Sequence, residues 1–367
     1  MRRLTGTIIA AAIGLLSCTW LLHGERATAP KDAGHVAATG SMTALGFDHA
    51  AALLPDGKVL IVGGIERNGV MQPTAEVFDP ATGRFSLTGK PQTPRGWGVT
   101  ATALGDGKIL VAGGSTGCDS PCYTASAELY DSSTHTFTPT GSMAAPRAEP
   151  RTLLLPNGDV LFVGGNGSSN GSAAMAEIYR VSSGSFAAAG VTHVSDPTQL
   201  VLLKDGRALL IGASGTDLYD PSTGRFTASG KLTVPRGKFG AALLPDGRVL
   251  VAGGQTGGAW SPRVTSTEIY DPATGHFTAG PVLSVKRFKL TKAVVSRKNG
   301  RVLIAGGADE PEVYDPASGA FLPVGGAKID GFCFSTATVL KDGKVLLAGG
   351  YANPGSPGVN HAWIYEP

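Results

Sequence analysis

Four arginines occupy matching points along this chain and could together bind an anionic ligand. They are Arg95, Arg147, Arg236 and Arg287, and the first three directly follow a proline. A guanidinium group can hold a carboxylate or a phosphate through two parallel hydrogen bonds, so four of them around one opening would suit an acidic ligand. A residue that recurs at matching points can equally serve the structural connection that those points share. The sequence leaves both interpretations open.

Beside these arginines stand residues that do not repeat, and these are better candidates for a ligand site. They are Asp48, His49, Trp97, Glu149, Lys238 and Lys289. No structural demand common to all the matching points explains side chains that differ from one point to the next. The sequence therefore predicts that a bound ligand contacts this set together with the arginines.

The elements that must position these residues form a repeat. Leu53 to Gly64 reads L-L-P-D-G-K-V-L-I-V-G-G, and the stretch returns with substitutions six more times. The other copies are Leu104 to Gly114, Leu154 to Gly165, Leu202 to Ala213, Leu243 to Gly254, Val294 to Gly307 and Val339 to Gly350. Each copy is two apolar runs joined by an Asp-Gly or Asn-Gly corner, which is the strongest short-range sign of a β-hairpin because Gly accepts positive φ.

A second recurring block follows in each repeat and predicts a second hairpin. It reads A-E-V-F-D-P-A-T-G-R-F at Ala75 to Phe85, and its Asp-Pro opening and later Gly suit a tight turn. The glutamates and aspartates that recur in register within it are expected to be structural. A period of about 50 residues with four strands and a Gly-Gly pair is typical of kelch repeats. From about residue 35 to its last residue the chain resembles the kelch family, and the resemblance implies an all-β, seven-bladed kelch-type β-propeller.

The last repeat stops one strand short, and the missing strand is predicted at the other end of the chain. Ala362 to Pro367 lines up with Ala75 to Pro80, whereas residues 35–42 match Thr136 to Met143, the outer strand of another repeat. Residues 35–42 are therefore expected to join the last blade and close the ring, which removes an unpaired sheet edge. The chain is therefore expected to divide into three parts. Residues 1–22 form a signal peptide or membrane anchor, residues 23–34 form a linker, and residues 35–367 form the propeller.

The N-terminal segment predicts that the propeller lies outside the cytoplasm. Arg2 and Arg3 precede an uncharged apolar run from Leu4 to Leu22, and a polar stretch comes next, as in export or anchoring segments. Three fates stay open: an uncleaved membrane anchor, lipidation at Cys18 in a stretch that resembles a bacterial lipobox, or ordinary secretion. Outside the cytoplasm two nearby cysteines, Cys118 and Cys122, are expected to form a disulfide.

One face of the ring is expected to carry the binding surface. The hairpin corners are all tight, so the variation in length is confined to the loops after each Gly-Gly pair, on the face where the chain also enters each new blade. Variable loops on a rigid scaffold are where binding normally resides. The net charge of +3 and 16% charged residues show no clustered basic stripe, so no nucleic-acid partner is expected.

Two enzymatic alternatives compete with a binding scaffold. The inner-strand stretch Asp48 to Val59 is similar to strands in the propeller of galactose oxidase, which holds copper with tyrosines and histidines. The seven histidines here do not reproduce that ligand set, so copper oxidation is the less favoured alternative and no metal or cofactor is expected. The other alternative resembles a periplasmic kelch mutarotase for acidic sugars, with Glu149 or His49 as acid and base. We expect a non-catalytic, membrane-anchored scaffold that binds a protein or a glycan.

Overall fold

The structure, a computed structural model, describes the chain from residue 33 onward with several gaps. The described residues are 33–43, 46–65, 71, 73–117, 122–167, 175–194, 196–213, 215–257, 262–290, the backbone of 293–295, 299–330, 333–352 and 358–367. They form an all-β structure of seven sheets, the blades, each with four antiparallel strands, plus one two-stranded ribbon. The predicted seven-bladed propeller is confirmed. The expected export segment, Cys18 and the linker as far as residue 32 lie outside the described residues. Within them, no helix is long and apolar enough to cross a bilayer.

Each blade orders its strands from the axis outward as the chain runs, except that the last blade takes its outer strand from β1. The innermost strands are β2 (Ala50–Leu53), β6 (Thr100–Ala103), β11 (Arg151–Leu154), β16 (Pro197–Leu202), β20 (Gly240–Leu243), β24 (Ala293–Val295) and β29 (Thr336–Val339). The second strands are β3 (Val59–Val62), β7 (Ile109–Ala112), β12 (Val160–Val163), β17 (Ala208–Gly212), β21 (Val249–Ala252), β25 (Val302–Ile304) and β30 (Val345–Ala348). The third strands are β4 (Ala75–Asp79), β8 (Ala127–Asp131), β14 (Met175–Arg180), β18 (Thr216–Asp220), β22 (Thr267–Asp271), β26 (Glu312–Asp315) and β31 (Ala362–Glu366). The outer strands are β5 (Arg84–Leu87), β9 (Thr136–Thr140), β15 (Ser185–Val191), β19 (Arg225–Ala228), β23 (His276–Ala279), β27 (Ala320–Pro323) and β1 (His35–Ala38). Outside this scheme are the ribbon of β10 (Arg147–Ala148) with β13 (Asn166–Gly167), and β28 (Gly325–Gly326).

The blades follow one another around a central axis. The innermost strands contact in a closed series, β2 with β6, then β11, β16, β20, β24, β29 and β2 again. The core lies between blades, where the second strands bury all their residues, as in Val59–Val62. Each fully buried Val, Leu or Ile there contributes about 1.5–3 kcal/mol. Blades 1 to 7 below follow the innermost strands in chain order.

The paired glycines have a steric cause. Gly63 and Gly64 have φ of 70° and 103°. A Cβ on Gly63 would lie 2.4 Å from the carbonyl oxygen of Arg95, in the next blade, and one on Gly64 would lie 3.1 Å from that of Phe47, in its own blade. The segments that lead into two consecutive blades thus pass within contact distance at this pair, and only Gly fits there.

Two of the recurring arginines, Arg147 and Arg287, connect two blades through different parts of the residue. The backbone carbonyl of Arg287 accepts a hydrogen bond from the amide of Gly254, in blade 5, at 2.8 Å. Its guanidinium group donates to Glu312, in blade 6, through Nε at 3.0 Å and Nη2 at 2.9 Å, and to the carbonyl of Gly306 at 3.0 Å. Equivalent buried ion pairs join Arg95 to Glu128, Arg147 to Glu177 and Arg236 to Glu268.

The ring closes with a strand from the beginning of the chain, as predicted. Strand β1 pairs antiparallel with β31, with His35 opposite Glu366 and Ala38 opposite Trp363. The strand ends at Ala38 and not at residue 42, because the next residues turn toward blade 1, where the amide of Gly40 donates to the carbonyl of Gly83 at 2.9 Å. A short strand that the sequence did not predict, β28, pairs in parallel on the outer side of β1.

We expect removal of β1 to destabilise the whole ring. A variant that begins after residue 42 loses the partner of β31 and the buried side chains of Val36 and Met42, so its melting temperature should fall by at least about 10 °C. A variant that begins after residue 32 keeps β1 and is the control. Equal melting temperatures for the two variants would contradict closure by this strand.

His49 should make stability depend on pH at the junction of blades 7 and 1. It is buried, its Nε2 lies 3.0 Å from Thr336 Oγ1, and burial lowers its pKa from 6.5 to about 4. The unfolded chain therefore binds one more proton between these values, so the free energy of unfolding should rise with pH from 4 to 6.5 by up to about 3 kcal/mol. Denaturant melts at several pH values measure this rise. If His49→Gln shows the same rise, the imidazole is not its source.

Candidate functional site

One position recurs at the start of the innermost strands and surrounds the axis on the face that carries the loops. At this position the described blades have Asp48, Gly98, Glu149, Lys238, Lys289 and Phe334, and we call this set the axial mouth. All six have positive φ, from 53° at Lys289 to 76° at Gly98. Five of them are not glycine, although the left-handed region favours glycine. Four of the six, Asp48, Glu149, Lys289 and Phe334, are half-buried.

Glycine is required at the axial mouth only in blade 2. A Cβ on Gly98 would lie 2.4 Å from the amide nitrogen of Glu149 and 2.8 Å from Cβ of Ala148. At the other described positions the side chain is accommodated, and each pays a backbone strain of about 1 kcal/mol that glycine would avoid. The turn conformation itself therefore does not explain why five of these positions carry a side chain.

Backbone hydrogen bonds fix these residues to their neighbours around the axis. The amide of Asp48 donates to the carbonyl of Phe334 at 3.3 Å, and the amide of Glu149 donates to that of Gly98 at 2.8 Å. In the same way the amide of Leu290 donates to the carbonyl of Lys238 at 3.3 Å. The axial mouth is thus held by the scaffold itself and does not rest on a flexible loop.

The carboxylate of Glu149 affects the pKa of Asp48, the other acidic residue of the axial mouth. Burial raises the pKa of Asp48 well above its ordinary value, and the negative charge of Glu149 raises it further, while Lys289 and Arg151 act in the opposite direction. Glu149 accepts a hydrogen bond from Asn166 Nδ2 at 3.2 Å. Asp48 can therefore hold a proton at a pH where an ordinary aspartate is ionised, which is the property of a hydrogen-bond donor or acid.

Lys289 lies in a group of aromatic rings. Its Nζ donates to Tyr351 Oη at 2.5 Å and lies 4.6 Å from the ring centre of Phe334 and 5.1 Å from that of Tyr351. Burial lowers its pKa, and repulsion from Lys238 and Arg263 adds to this, against attraction to Cys333 and Asp48.

The rest of this group is apolar and packed. Phe47 meets Tyr351 edge to face with ring centres 5.0 Å apart, and Phe288 is buried beneath. The thiol of Cys333 is buried and free, and burial raises its pKa. These rings and the thiol form an apolar wall on one side of the axial mouth.

The sequence-predicted candidates fall into two groups. The structure brings Asp48, Glu149, Lys238 and Lys289 together at the axial mouth, with Lys238 exposed. Trp97 stands next to it and packs on Tyr123 with ring centres 5.9 Å apart. His49 is buried between blades.

The four arginines are separate from that group. Their side chains are 0–1% exposed and are each paired with a glutamate. We therefore leave Arg95, Arg147, Arg236 and Arg287 out of the surface that a ligand can reach.

The sequence analysis did not single out Arg151, Arg263, Phe334 and Tyr351. Phe334 and Tyr351 belong to blade 7, at positions where the other blades carry different residues, so no repeated signal in the sequence marked them.

Cys122 is disulfide-bonded, and its expected partner, Cys118, lies outside the described residues.

The donor set of the described residues does not suit a metal centre. No three His, Cys, Asp or Glu side chains come together in the part of the chain that the structure describes. His49, beside the axial mouth, is engaged with Thr336.

A separate depression of about 490 Å³ lies at the tight turns of blades 3 and 4, lined by 156–157, 205–207 and 220–222.

Comparison with known proteins supports the fold. The kelch motif matches residues 100–144 and 237–281, and no curated protein matches the chain. Among solved structures, the chain is similar to a fungal alcohol oxidase of the AA5 family in complex with copper, with a TM-score of 0.73 and 17% identity. The similarity covers 92% of this chain and 77% of that one. At this identity the likeness concerns the fold alone. The chain is therefore a seven-bladed β-propeller that carries kelch motifs and closes its ring with strand β1.

Proposed function

We propose that this protein is an exported, membrane-anchored propeller that acts as a non-catalytic scaffold and binds a protein or a glycan through its loop-bearing face. The observation that carries the proposal is the axial mouth. Five blades place a non-glycine residue there in a left-handed conformation that costs about 1 kcal/mol or more. The side chains kept at that cost differ in charge and shape, as expected of residues that contact a ligand.

Two surface features near the axial mouth support a macromolecular ligand. The half-buried pair of Trp97 and Tyr123 offers aromatic faces to a sugar ring or to an apolar side chain, and such residues are enriched at interfaces. The segments that lead into blades 5 and 6 expose Val234, Val282 and Val285, with Val282 64% exposed. Exposed apolar side chains grouped on one face favour protein contact.

The N-terminal sequence and a disulfide-bonded cysteine both support export. Residues 1–22 carry two arginines followed by an apolar run, which is typical of export segments. Cys122 is disulfide-bonded, and disulfides persist in oxidising compartments outside the cytoplasm. We propose that an uncleaved anchor, or failing that lipidation at Cys18, holds the propeller at the membrane.

The proposal is tested by binding of the full chain to glycan arrays and to extracytoplasmic proteins captured by cross-linking. Trp97→Ala and Lys238→Ala remove a half-buried and an exposed side chain from the loop-bearing face and should each weaken binding by about tenfold or more. Arg248→Ala, on the opposite face, is the matched control and should bind as the parent does.

Export is tested separately. Labelling of intact cells with a reagent that does not cross membranes should modify the propeller.

Three results would contradict this function. Equal losses in the loop-face and turn-face variants would show that the loop-bearing face is not the binding surface. Stoichiometric, redox-active copper in the purified protein would point to an oxidase. Exchange of sugar-acid anomers faster than in buffer alone, lost in Glu149→Gln, would assign the mutarotase alternative.

A further inference from the structure

We propose that the axial mouth binds a small zwitterionic ligand, one that carries a carboxylate and an ammonium group on an apolar body. The carboxylate lies on Lys289, the ammonium group lies between Asp48 and Glu149, and the apolar body packs on Phe334 and Tyr351. This inference rests on the proposed function in one respect, because it takes the loop-bearing face as the binding face. It adds a ligand class and a pose.

The first step concerns the lysine. The chain pairs its other buried cations, because each of the four buried arginines holds a glutamate. Lys289 is half-buried, yet among the described residues no carboxylate lies within ion-pair distance of its Nζ. Its Nζ donates a hydrogen bond to the hydroxyl of Tyr351 at 2.5 Å. An ammonium group has three donors, so the groups around Lys289 leave capacity for a carboxylate.

The second step concerns the opposite charge. Asp48 is half-buried, and no described side chain donates to its carboxylate or pairs with it. The nearby charge of Glu149 makes its ionised form still less favourable. A cation placed between two such carboxylates is favourable because it relieves their repulsion and supplies the missing donors.

The third step excludes ligands of a single charge as the best fit. A simple anion would satisfy Lys289 and leave Asp48 and Glu149 uncompensated, whereas a simple cation would do the reverse. A molecule with both charges satisfies both groups at once.

The fourth step concerns the rest of the ligand. Between the two charged groups the surface is aromatic, with Phe47 and Tyr351 at 5.0 Å and Phe334 and Tyr351 at 5.8 Å between ring centres. These rings are packed on the buried Cys333 and Phe288. The backbone hydrogen bonds around the axis hold the charged residues in place before binding, which lowers the entropy cost of association.

The test uses isothermal titration calorimetry on the full chain with two charge-matched series. One series is phenylalanine, 3-phenylpropanoate and 2-phenylethylamine, and the other is 6-aminohexanoate, hexanoate and hexylamine, which separates the charges further. In at least one series the zwitterion should bind about tenfold or more tighter than either singly charged probe. If neither series shows this preference, the inference is wrong.

Variants separate the two ends of the ligand. Lys289→Met should reduce binding of the zwitterion to the level of the amine and leave the amine unaffected, and Asp48→Asn with Glu149→Gln should reduce it to the level of the acid. Asn tolerates the left-handed conformation of Asp48, and Lys58→Met on the turn face is the control. Equal effects of a variant on all three probes would contradict the assigned pose, provided that its melting temperature matches the parent's.

The outcome also distinguishes this inference from the proposed function. If glycan or protein binding at the loop-bearing face persists while no zwitterion preference is found, only the ligand class is wrong. If neither kind of ligand binds, the proposed function is wrong as well.

Discussion

A buried ion pair between the segment that leads into a blade and the third strand of that blade is the interaction on which this propeller depends. The arginine reaches the preceding blade with its backbone carbonyl and its own blade with its side chain, as Arg287 does with Gly254 and Glu312. Burial lowers the pKa of Arg287, and Glu312 opposes that effect. Taking both charges out of water is costly, so such a pair contributes position more than stability. It fixes where each innermost strand starts, and hence where the residues of the axial mouth stand.

In blades 1 and 4, which have no such arginine, a carboxylate alone holds the segment that leads into the blade. In blade 4 the glutamate is replaced by Asp217, which accepts from the amide of His193 at 2.7 Å and lies 3.1 Å from its Nδ1. In blade 1, Glu76 accepts from the amide of Thr43 at 2.8 Å. A carboxylate that receives the amides of the incoming connection is thus common to most blades, and the arginine is an addition to it. Because the arginine side chains are buried in that structural role, the side chains beside them are the ones left to contact a ligand.

Much of the fold could be predicted because the repeat carries it. The Asp-Gly corners, the paired glycines and the resemblance of residues 35–42 to an outer strand each follow from local chemistry, and together they predicted the blade number and the closure. The partners of the arginines were also within reach, because Glu128 and Arg95 recur in step with each other. The site could not be predicted in the same way. Lys289 meets Phe334 and Tyr351 across two blades, and no local pattern reports a contact between residues that far apart in the chain.

The central claim is tested most directly by a double-mutant cycle between Arg236 and Glu268, with the free energy of unfolding measured for the parent, Arg236→Met, Glu268→Gln and the double variant. The account predicts that each single change costs about 3–5 kcal/mol because it leaves one partner buried and unpaired. The double variant should cost little more than either one, giving a coupling energy of about 2 kcal/mol or more. Single effects that simply add would contradict the account, because the two residues would then not act as one unit that holds the segment leading into blade 5.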